Sequence, residues 1–200
     1  MFSKFCRLNR VSQSVIIVCL LIAVTAITLS AWLIYSQYQA GHSSISQPTV
    51  NRYSAPRNSI SGKPVGLNIP SLQINIPVID GQYDPATHGW TLSLNKAQYF
   101  VDSAQPNNVG GKTFIYGHYR REIFASLHNI QPGASLSLTT YNGYRFNYQF
   151  ASSFTIEPSD LSVLDNTAQP VLYVQTCSGV FFQHRQIFSF KYVGYEKIKT

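Results

Sequence analysis

The sequence predicts a mainly β domain, folded as a closed or nearly closed barrel, that follows a single membrane-spanning helix. Three features predict this arrangement: an apolar run near the amino terminus, a polar segment after it, and a series of short runs in which apolar and polar residues alternate. The 200 residues also include 14% aromatic and only 12% charged residues, the reverse of a disordered composition. Length and composition therefore indicate one folded domain with an appendage.

The apolar run extends from Val15 to Tyr35 and is dominated by Val, Ile, Leu and Ala. A helix of this length spans about 30 Å, enough to cross the hydrocarbon core of a bilayer. Three basic residues precede the run: Lys4, Arg7 and Arg10. Because positive flanks remain in the cytoplasm, we predict a cytoplasmic basic tail at 1–14 and a transmembrane signal anchor at 15–36. A cleaved signal peptide is the alternative, but its apolar region normally covers only about 7–15 residues and ends at a site of small residues.

A polar segment at 37–64, rich in Ser, Gln, Asn and Pro, follows the anchor. It contains few large apolar residues and cannot bury enough surface to fold alone, so we interpret it as a stalk or linker. Residues 65–200 are numerous enough for one ordinary core and are predicted to form the β-barrel domain. With the tail in the cytoplasm, this domain is expected on the outer side of the membrane.

The formal net charge of +7 is compatible with an acidic partner, so the positions of the charges matter. The tail holds three of the 15 basic residues and none of the 8 acidic ones, which leaves 12 against 8, or +4, for the remainder. Those charges are scattered, and no basic run exceeds the pair Arg120-Arg121. A solvated surface explains them better than a stripe that tracks phosphates. We therefore predict no nucleic-acid partner.

Alternating or continuously apolar runs predict the strands of the barrel. They cover Leu72–Ile79, Lys112–Tyr116, Ser135–Thr140, Tyr144–Phe150, Val171–Val174 and Ile187–Val193. Pro77 lacks a backbone N–H and indicates a sheet edge or a strand end. Asn142-Gly143 predicts a two-residue hairpin turn between two of the strands.

One segment has helical rather than alternating periodicity. In Glu122–Ile130, four apolar residues fall on one helical face, and Pro132-Gly133 stops the pattern. Many short strands accompanied by one or two short helices are typical of a β-barrel.

Three side chains that can carry out acyl transfer stand at predicted strand ends. Cys177 ends an apolar run, His118 follows another run through Gly117, and Arg185 begins the last strand. An excursion of eight residues can return the chain to the neighbouring strand and bring Arg185 near Cys177. Together they offer a nucleophile, a proton carrier and an oxyanion donor. Taken singly, each also fits an ordinary role: a small buried cysteine, a loop histidine and a surface arginine.

The other reactive side chains add no further site. Cys177 is the only cysteine after the anchor, so the barrel domain cannot contain an intramolecular disulfide. His184 could compete as the base, but neighbours on a strand point to opposite faces, so it faces away if Arg185 faces the thiol. The histidines show no paired ligand spacing and the acidic residues are dispersed. We predict no metal and no cofactor.

With these residues the sequence resembles the sortases, membrane-anchored cysteine transpeptidases of bacterial surfaces, from about Leu67 to the carboxyl terminus. LNIPSLQINIPV resembles the family's opening strand pair, and GGKTFIYGHYRREIFASLHNIQPG resembles the block around its histidine. YVQTC resembles the family's Thr-Leu-x-Thr-Cys, with an arginine on the next strand. Tyr173 and Val174 depart from that pattern, whereas the pair Thr176-Cys177 keeps it.

The resemblance implies a closed eight-stranded barrel with the active site in a groove at one end. Cys177 would attack a backbone carbonyl of a carboxyl-terminal sorting signal, often of Leu-Pro-x-Thr-Gly type, and hold the product as a thioacyl enzyme. His118 would protonate the departing amine and deprotonate the incoming one. Arg185 would bind the substrate and stabilise the oxyanion, and Thr176 would help to shape that pocket.

The resemblance also implies partners and a location. The partners are the sorting-signal peptide of a surface protein and an amine acceptor, either a cell-wall precursor or a pilin lysine. The location is the bacterial cell membrane, crossed once, with the catalytic domain extracellular. Loops at 152–170 and 178–184 would determine the motif. The stalk lacks the Asp-Pro-aromatic lid of some pilus sortases, which favours general anchoring of surface proteins over joining pilins.

Two other functions remain open. The L,D-transpeptidases, which cross-link the cell wall, also combine Cys, His and Arg, but their cysteine lies in a Ser-x-Gly-Cys-Arg-like block. Here Thr176 precedes Cys177, and Arg185 is distant in sequence. A non-catalytic adhesion or scaffold domain on the same anchor would leave the three side chains spatially unrelated. Geometry discriminates between these functions, because an enzyme requires His118, Cys177 and Arg185 to meet in space.

Overall fold

The structure is a computed structural model that describes residues 10–41, 56, 58–84, 86, 89–179 and 183–199. The chain divides into two compact units, Met1–Gln47 and Pro48–Thr200. Most of the predicted cytoplasmic tail and most of the predicted stalk lie outside the described residues. Each unit is described by itself below.

The first unit contains one helix, α1, from Arg10 to Gly41. Its apolar segment Val15–Trp32 is not buried by any described residue, and three hydroxyl groups in it donate to carbonyls one turn earlier. The helix is long and apolar enough to cross a membrane. It extends past both ends of the predicted anchor at 15–36, because the Ser, Gln, Tyr and Ala residues that follow the anchor tolerate helical structure as far as Gly41.

The second unit is built from strands, of which the described residues form ten. They are β1 Pro64–Ile69, β2 Ile74–Gly81, β3 Tyr83–Asp84, β4 Gly89–Trp90, β5 Ala97–Phe100, β6 Lys112–Tyr116, β7 Ser135–Thr140, β8 Tyr144–Ile156, β9 Val171–Ser178 and β10 His184–Lys197. Eight of them close into a barrel in the order β1-β2-β5-β6-β9-β10-β8-β7, while β3 and β4 form a separate two-stranded sheet. Strand β6 runs parallel to β9, and β2 runs parallel to β5. The prediction of a mainly β, closed eight-stranded barrel is confirmed.

Every strand predicted from an alternating or apolar run is present, and three of the six, β8, β9 and β10, are longer than the run. The largest difference is in β8 and β10, which extend to 13 and 14 residues. Pro77 lies where β2 changes partners, since β2 pairs with β1 up to Pro77 and with β5 from Val78 onward. A residue without an N–H is tolerated at such a change. Strand β5 was not predicted, because all four of its side chains are buried and it shows no alternation.

One local prediction was wrong. The β7–β8 hairpin has a three-residue loop, 141–143, rather than a two-residue turn, because only Gly143 adopts a positive φ and the Thr140 hydroxyl bonds both the N–H and the carbonyl of Tyr144. The predicted helical segment Glu122–Ile130 forms a turn followed by a short 3-10 helix at Ala125–Asn129. Its four predicted apolar side chains are all buried. Two further 3-10 helices occur, at Pro70–Leu72 and Ser162–Leu164.

The apolar side chains form two clusters on opposite sides of the barrel wall. The interior cluster draws residues from all eight barrel strands and from the segment 123–130. The outer cluster lies on the other face of β5, β6 and β10, and includes Phe114, Tyr116 and Ile187. Trp90 of β4 packs on it, with its ring 4.7 Å from that of Tyr116. The β3–β4 sheet and the connection after β8 therefore cover one outer face of the barrel.

The folded unit begins before the predicted boundary at 65. Ile60 packs against the interior cluster, and its N–H donates to Oδ1 of Asn108 at 3.0 Å. Ser61 forms a bridge with Asn107. The last residues assigned to the stalk thus belong to the barrel unit, because they bury apolar surface that the polar composition of the whole segment conceals.

The barrel wall opens at one end because neighbouring strands differ in length. Strand β7 begins at Ser135, which pairs with Gln149 of β8. Beyond this pair, the last backbone hydrogen bonds between β8 and the chain that leads into β7 join Phe150 to Gly133 and Ala134. Strand β8 continues to Ile156, paired only with β10. The chain before β7 has separated from β8 by then, and this separation produces the opening in which the candidate site lies.

Candidate active site

Strand register brings two of the predicted catalytic residues side by side. Cys177 on β9 lies directly opposite Arg185 on β10. On the other side of β9, the pairing with β6 ends at Tyr116 and Gln175, and the Gly117 N–H donates to the Gln175 carbonyl at 3.1 Å. His118 follows in the turn, two residues after the end of β6. Cys177, Arg185 and His118, at or just beyond the ends of three neighbouring strands, are called the catalytic row, or simply the row.

Cys177 and Arg185 lie on the outer face of the barrel. Partners in register share a face, and residues two apart on a strand do as well. Arg185 precedes Ile187 of the outer cluster by two residues, and Cys177 is the register partner of Arg185. His118 and Cys177 are both half-buried. The outer aromatic cluster thus supports the strands on which the row is built.

The turn that carries His118 requires a glycine. A side chain at Gly117 would place its Cβ 2.9 Å from Cγ2 of Ile123 and 3.0 Å from the ring of Phe124. Both neighbours are fully buried, so displacing either of them would disturb the close-packed interior and cost free energy. The close packing of segment 122–130 against Gly117 therefore fixes the path of the backbone just before His118.

Thr176 links this turn to the cysteine strand. Its hydroxyl donates to the Gly117 carbonyl at 3.1 Å, and its side chain is buried. The hydroxyl hydrogen is committed to that bond, so Thr176 does not offer it to an oxyanion. The role that the geometry supports is to hold the residue before His118 against the residue before Cys177.

A groove of about 690 Å³ lies beside the cysteine. One side is formed by the ends of β8, β9 and β10, and the other by the chain that leads into β7. The lining residues are Tyr119, His128, Ile130, Pro132, Phe150, Ala151, Ser152, Ser153, Thr176, Cys177, Ser178, Gly179, Gln186 and Phe188. Cys177 and Thr176 line it, whereas His118 and Arg185 are not among its lining residues. Cys177 thus stands at the boundary between the groove and the outer face of the barrel.

Most groove residues were not singled out from the sequence. The predicted loops at 152–170 and 178–184 contribute their first two residues each, and 180–182 lie outside the described residues. Gln186 and Phe188 could have been found, because alternation along β10 puts them on the face opposite Arg185. Tyr119, His128 and Pro132 carry no such signal, since the segment between β6 and β7 has no regular period to place them.

His184, the alternative base, lies apart from the row. It pairs with Ser178 across β9 and β10, and its Nδ1 is 3.1 Å from Oε1 of Glu157. That distance is within reach of an ion pair, but the angle does not make a hydrogen bond. Alternation along β10 gives His184 the face opposite Arg185, as predicted.

Two buried polar groups stabilise the outer face beneath the row. Burial raises the pKa of Tyr116 to about 12, against the effect of its bonds to Thr91 and Gln82. Burial also lowers the pKa of Lys112, and Asp165 opposes that change. The Lys112 ammonium donates to the Val163 carbonyl at 2.6 Å, so it fastens the connection between β8 and β9 to the start of β6. Among the described residues, no three His, Cys, Asp or Glu side chains cluster closely enough to hold a metal ion.

Comparisons with known proteins agree with this fold. The family model described as the Sortase domain matches residues 67–193. No curated protein matches the chain. Among solved structures, sortase E1 from Streptomyces coelicolor, with a tripeptide in its active site, is 22% identical, with a TM-score of 0.56 over 68% of this chain and 91% of that one. Sortase A from Listeria monocytogenes is 23% identical, with a TM-score of 0.55 over 68% and 92%.

Sortase C from Streptococcus pneumoniae is 18% identical, with a TM-score of 0.56 over 70% of this chain and 73% of that one. At these identities the solved structures establish the fold, while the domain model covers more than half of the sequence. The chain therefore belongs to the sortase family of transpeptidases.

Proposed function

We propose that this protein is a membrane-anchored sortase that cleaves a carboxyl-terminal sorting signal through a thioacyl enzyme on Cys177 and transfers the acyl group to an amine. The observation that supports the proposal is the pairing of Cys177 with Arg185 at the edge of a groove, with His118 just beyond the end of the neighbouring strand β6. A scaffold domain has no need of such a row.

The three residues of the row can together carry out the first half of the reaction, the acylation of Cys177. In the reactive form His118 holds the proton of the Cys177 thiol, and the thiolate attacks the carbonyl carbon of the scissile peptide bond to form a C–S bond. Arg185, directly opposite Cys177, stabilises the negative oxygen of the tetrahedral intermediate. The C–N bond then breaks, and His118 gives its proton to the departing amine. The product is a thioester between Cys177 and the acyl part of the substrate.

The second half of the reaction reverses these roles. An acceptor amine attacks the thioester carbonyl, and His118, now neutral, removes a proton from the amine. When the tetrahedral intermediate breaks down, the C–S bond is lost and Cys177 leaves as the thiolate. The acceptor is the amine of a cell-wall precursor or of a pilin lysine; water in its place gives hydrolysis.

The groove suits a peptide substrate. Ile130, Pro132, Phe150 and Phe188 offer an apolar side, and Ser152, Ser153 and Gln186 offer hydroxyl and amide groups. Such a combination binds apolar side chains while it hydrogen-bonds a peptide backbone. The structure of the Streptomyces coelicolor sortase E1 has a tripeptide in its active site, which supports a peptide ligand here. A departure from the family at Tyr173 and Val174 leaves the preferred motif to be found by experiment.

The helix α1 supports the proposed location. A single apolar helix near the amino terminus would hold the barrel at a membrane. The basic residues before it would keep the amino terminus in the cytoplasm and leave the catalytic domain outside the cell. Surface proteins and the cell wall would both be accessible to it there.

The proposal is tested with the full chain in detergent micelles, incubated with a panel of Leu-Pro-x-Thr-Gly-type peptides and an oligoglycine amine. We expect cleavage between Thr and Gly and a new peptide–oligoglycine product, detected by mass spectrometry. Cys177→Ala is the control and should yield no product. A product formed equally by Cys177→Ala, or no cleavage of any peptide in the panel, would contradict the proposal and favour a non-catalytic surface domain.

A further inference from the structure

The free edge of β8 borders the groove. After a bulge at Ala151, β8 pairs with β10 from Ser152 to Ile156 on one side. On the other side none of the described residues bonds to the segment from Ala151 to Ile156, because the pairing with the β7 chain ends at Phe150. This segment is named the β8 edge. Residues 151–155 are exposed. Half of the backbone N–H and C=O groups of such a segment face outward and are available to another chain.

The β8 edge lacks the charges and prolines that often block strand addition. Its sequence, ASSFTI, contains no charged residue and no proline. The chain offers a contrast in the last part of β10, Tyr192–Lys197, which has no partner on the β9 side among the described residues. Each edge has one bulge, at Ala151 in β8 and at Val193 in β10, but only the β10 edge carries charges, at Glu196 and Lys197. Charges protect exposed strand edges against association, so this protection is present on one free edge and absent from the other.

The uncharged edge is also the one at the active site. Ala151, Ser152 and Ser153 line the same groove as Cys177. At its far end, Ile156 pairs with Arg185, which itself pairs with Cys177. The edge is about 17 Å long, at about 3.3 Å for each residue, and it connects the level of Cys177 and Arg185 to the groove.

We propose that the substrate segment immediately before the sorting motif binds as an added strand on the β8 edge. The inference rests on the proposed function and deepens it. The main-chain bonds of the added strand supply affinity without regard to the sequence of that segment, as in other cases of β-strand addition. The added strand would lie in the opening between the β8 edge and the chain at 128–132.

The distances fit this arrangement. A strand added to β8 lies three strand spacings from Cys177, across β10 and β8, or about 14 Å at about 4.8 Å each. The four residues of a Leu-Pro-x-Thr segment span a similar distance when extended, at about 3.3–3.6 Å each. The motif can therefore cross from the edge to the thiol, and its proline needs no partner on the way, because only the residues before it join the sheet.

Single N-methylation of the peptide tests the added strand. The panel peptide that loads Cys177 best is extended at its amino end by a run of alternating Ser and Thr, and each amide in that run is methylated in turn. Methyl groups that face β8 should raise KM about five- to tenfold, through the loss of one hydrogen bond, and those in between should change it less than about twofold. The value of kcat should stay constant, since the contact is equal in ground and transition states.

The same effect at every position, or at none, would overturn the inference. The unextended motif peptide is the reference, and it should be turned over with a higher KM than the extended one. If the unextended and extended peptides have equal KM, the added strand is also ruled out. Failure of the unmethylated peptides to load Cys177 would instead overturn the proposed function, so the two failures are distinguishable.

A matched pair of variants tests the protein side. Phe154 and Val193 are exposed apolar residues, one on each free edge. Phe154→Lys gives the β8 edge the charge that it lacks, and should raise KM for the extended peptide several-fold while leaving the unextended peptide unchanged. Val193→Lys should leave both unchanged. Equal behaviour of the two variants, with both folded by circular dichroism, would contradict strand addition at β8.

Discussion

Two grooves that the described residues of the barrel form differ in chemistry. The groove at Cys177 has a volume of about 690 Å³, and a second groove of about 520 Å³ lies on the outer wall across β1, β2, β7 and β8. The second is lined by amides and hydroxyls, with Asn75, Asn68, Ser137 and Asn147 in register across four strands. This second groove is called the polar groove.

The difference lies in the kind of side chain that each surface carries. The polar groove carries amides and hydroxyls, and its two charged residues pair with each other, Arg145 Nη1 lying 3.1 Å from Oε1 of Glu196. Beside the other groove, the register pairs a thiol with a guanidinium, Cys177 with Arg185. A concave surface is therefore insufficient for a catalytic site, which also requires a nucleophile and a group that can stabilise an oxyanion.

The largest effect is expected from the nucleophile. Cys177→Ala should reduce turnover by at least about 10³-fold, because no other group of the row can form the thioester. Asn147→Ala in the polar groove should change turnover less than about twofold. Product formation from a sorting-signal peptide and an amine measures both. Comparable losses in the two variants would remove the distinction between the grooves.

The proton carrier should follow. His118→Gln keeps a polar side chain but cannot exchange protons, so kcat should fall by about 10²–10⁴-fold. His184→Gln is the matched control, because His184 faces away from the row and lies beside Glu157. Single-turnover kinetics of thioester formation measure the chemical step. A larger loss of kcat in His184→Gln than in His118→Gln would show that His184, and not His118, is the base.

The guanidinium distinguishes geometry from charge. Arg185→Lys keeps the positive charge but loses the fork of donors, and should lower kcat by about 10²-fold, as for the loss of one oxyanion donor. Arg145→Lys makes the same change in the polar groove. It should leave kcat unchanged and alter the free energy of unfolding by no more than about 1 kcal/mol, because the Arg145–Glu196 pair is exposed. Wild-type kcat in Arg185→Lys would show that only charge matters.

Thr176 tests the positioning of the row. Thr176→Val removes the bond to the Gly117 carbonyl and leaves that buried acceptor unpaired, which costs about 1–3 kcal/mol of stability. We expect kcat to fall about tenfold with KM little changed. Thr176→Ser should restore kcat because it restores the hydroxyl, whereas a purely structural role for the methyl group would leave Thr176→Ser as slow as Thr176→Val.

The smallest effect is expected from pH. Burial raises the pKa of Tyr116 to about 12 and also raises those of Tyr99 and Tyr148. Below pH 10 all three retain their protons in the folded and unfolded chains. As the pH rises from 10, the unfolded chain loses these protons first, so the free energy of unfolding falls. Lys112, with its lowered pKa, acts in the opposite direction, but its contribution ends near its ordinary value of 10.5.

Urea denaturation at several pH values from about 9 to about 12, followed by near-ultraviolet circular dichroism, measures this fall. Tyr116→Phe should make it shallower, since one of the three groups no longer titrates. A denaturation midpoint that stays constant up to about pH 12 would contradict burial of these phenols. The lining residues of the polar groove include no buried phenol. The fall in the free energy of unfolding at high pH is therefore expected from the tyrosines of the outer and interior clusters.

The pairing of Cys177 with Arg185 was predictable because both residues adjoin apolar or alternating runs that form neighbouring strands. The place of His118 just after a strand was predictable for the same reason. The lining of the groove was not predictable, because it depends on β8 extending beyond β7. The run from Ala151 to Ile156 is weakly apolar, and alternation alone does not indicate its length. The helical periodicity at Glu122–Ile130 identified the buried side chains, but it did not show that only Ala125–Asn129 is helical, as a 3-10 helix.

Intact mass of the full chain, after incubation with a sorting-signal peptide in the absence of an amine, tests the central claim most directly. The row predicts a mass increase equal to the acyl part of the cleaved peptide, located at Cys177 by peptide mapping, sensitive to hydroxylamine and absent from Cys177→Ala. Cleavage of the peptide without an adduct on Cys177, or an adduct that persists in Cys177→Ala, would contradict it.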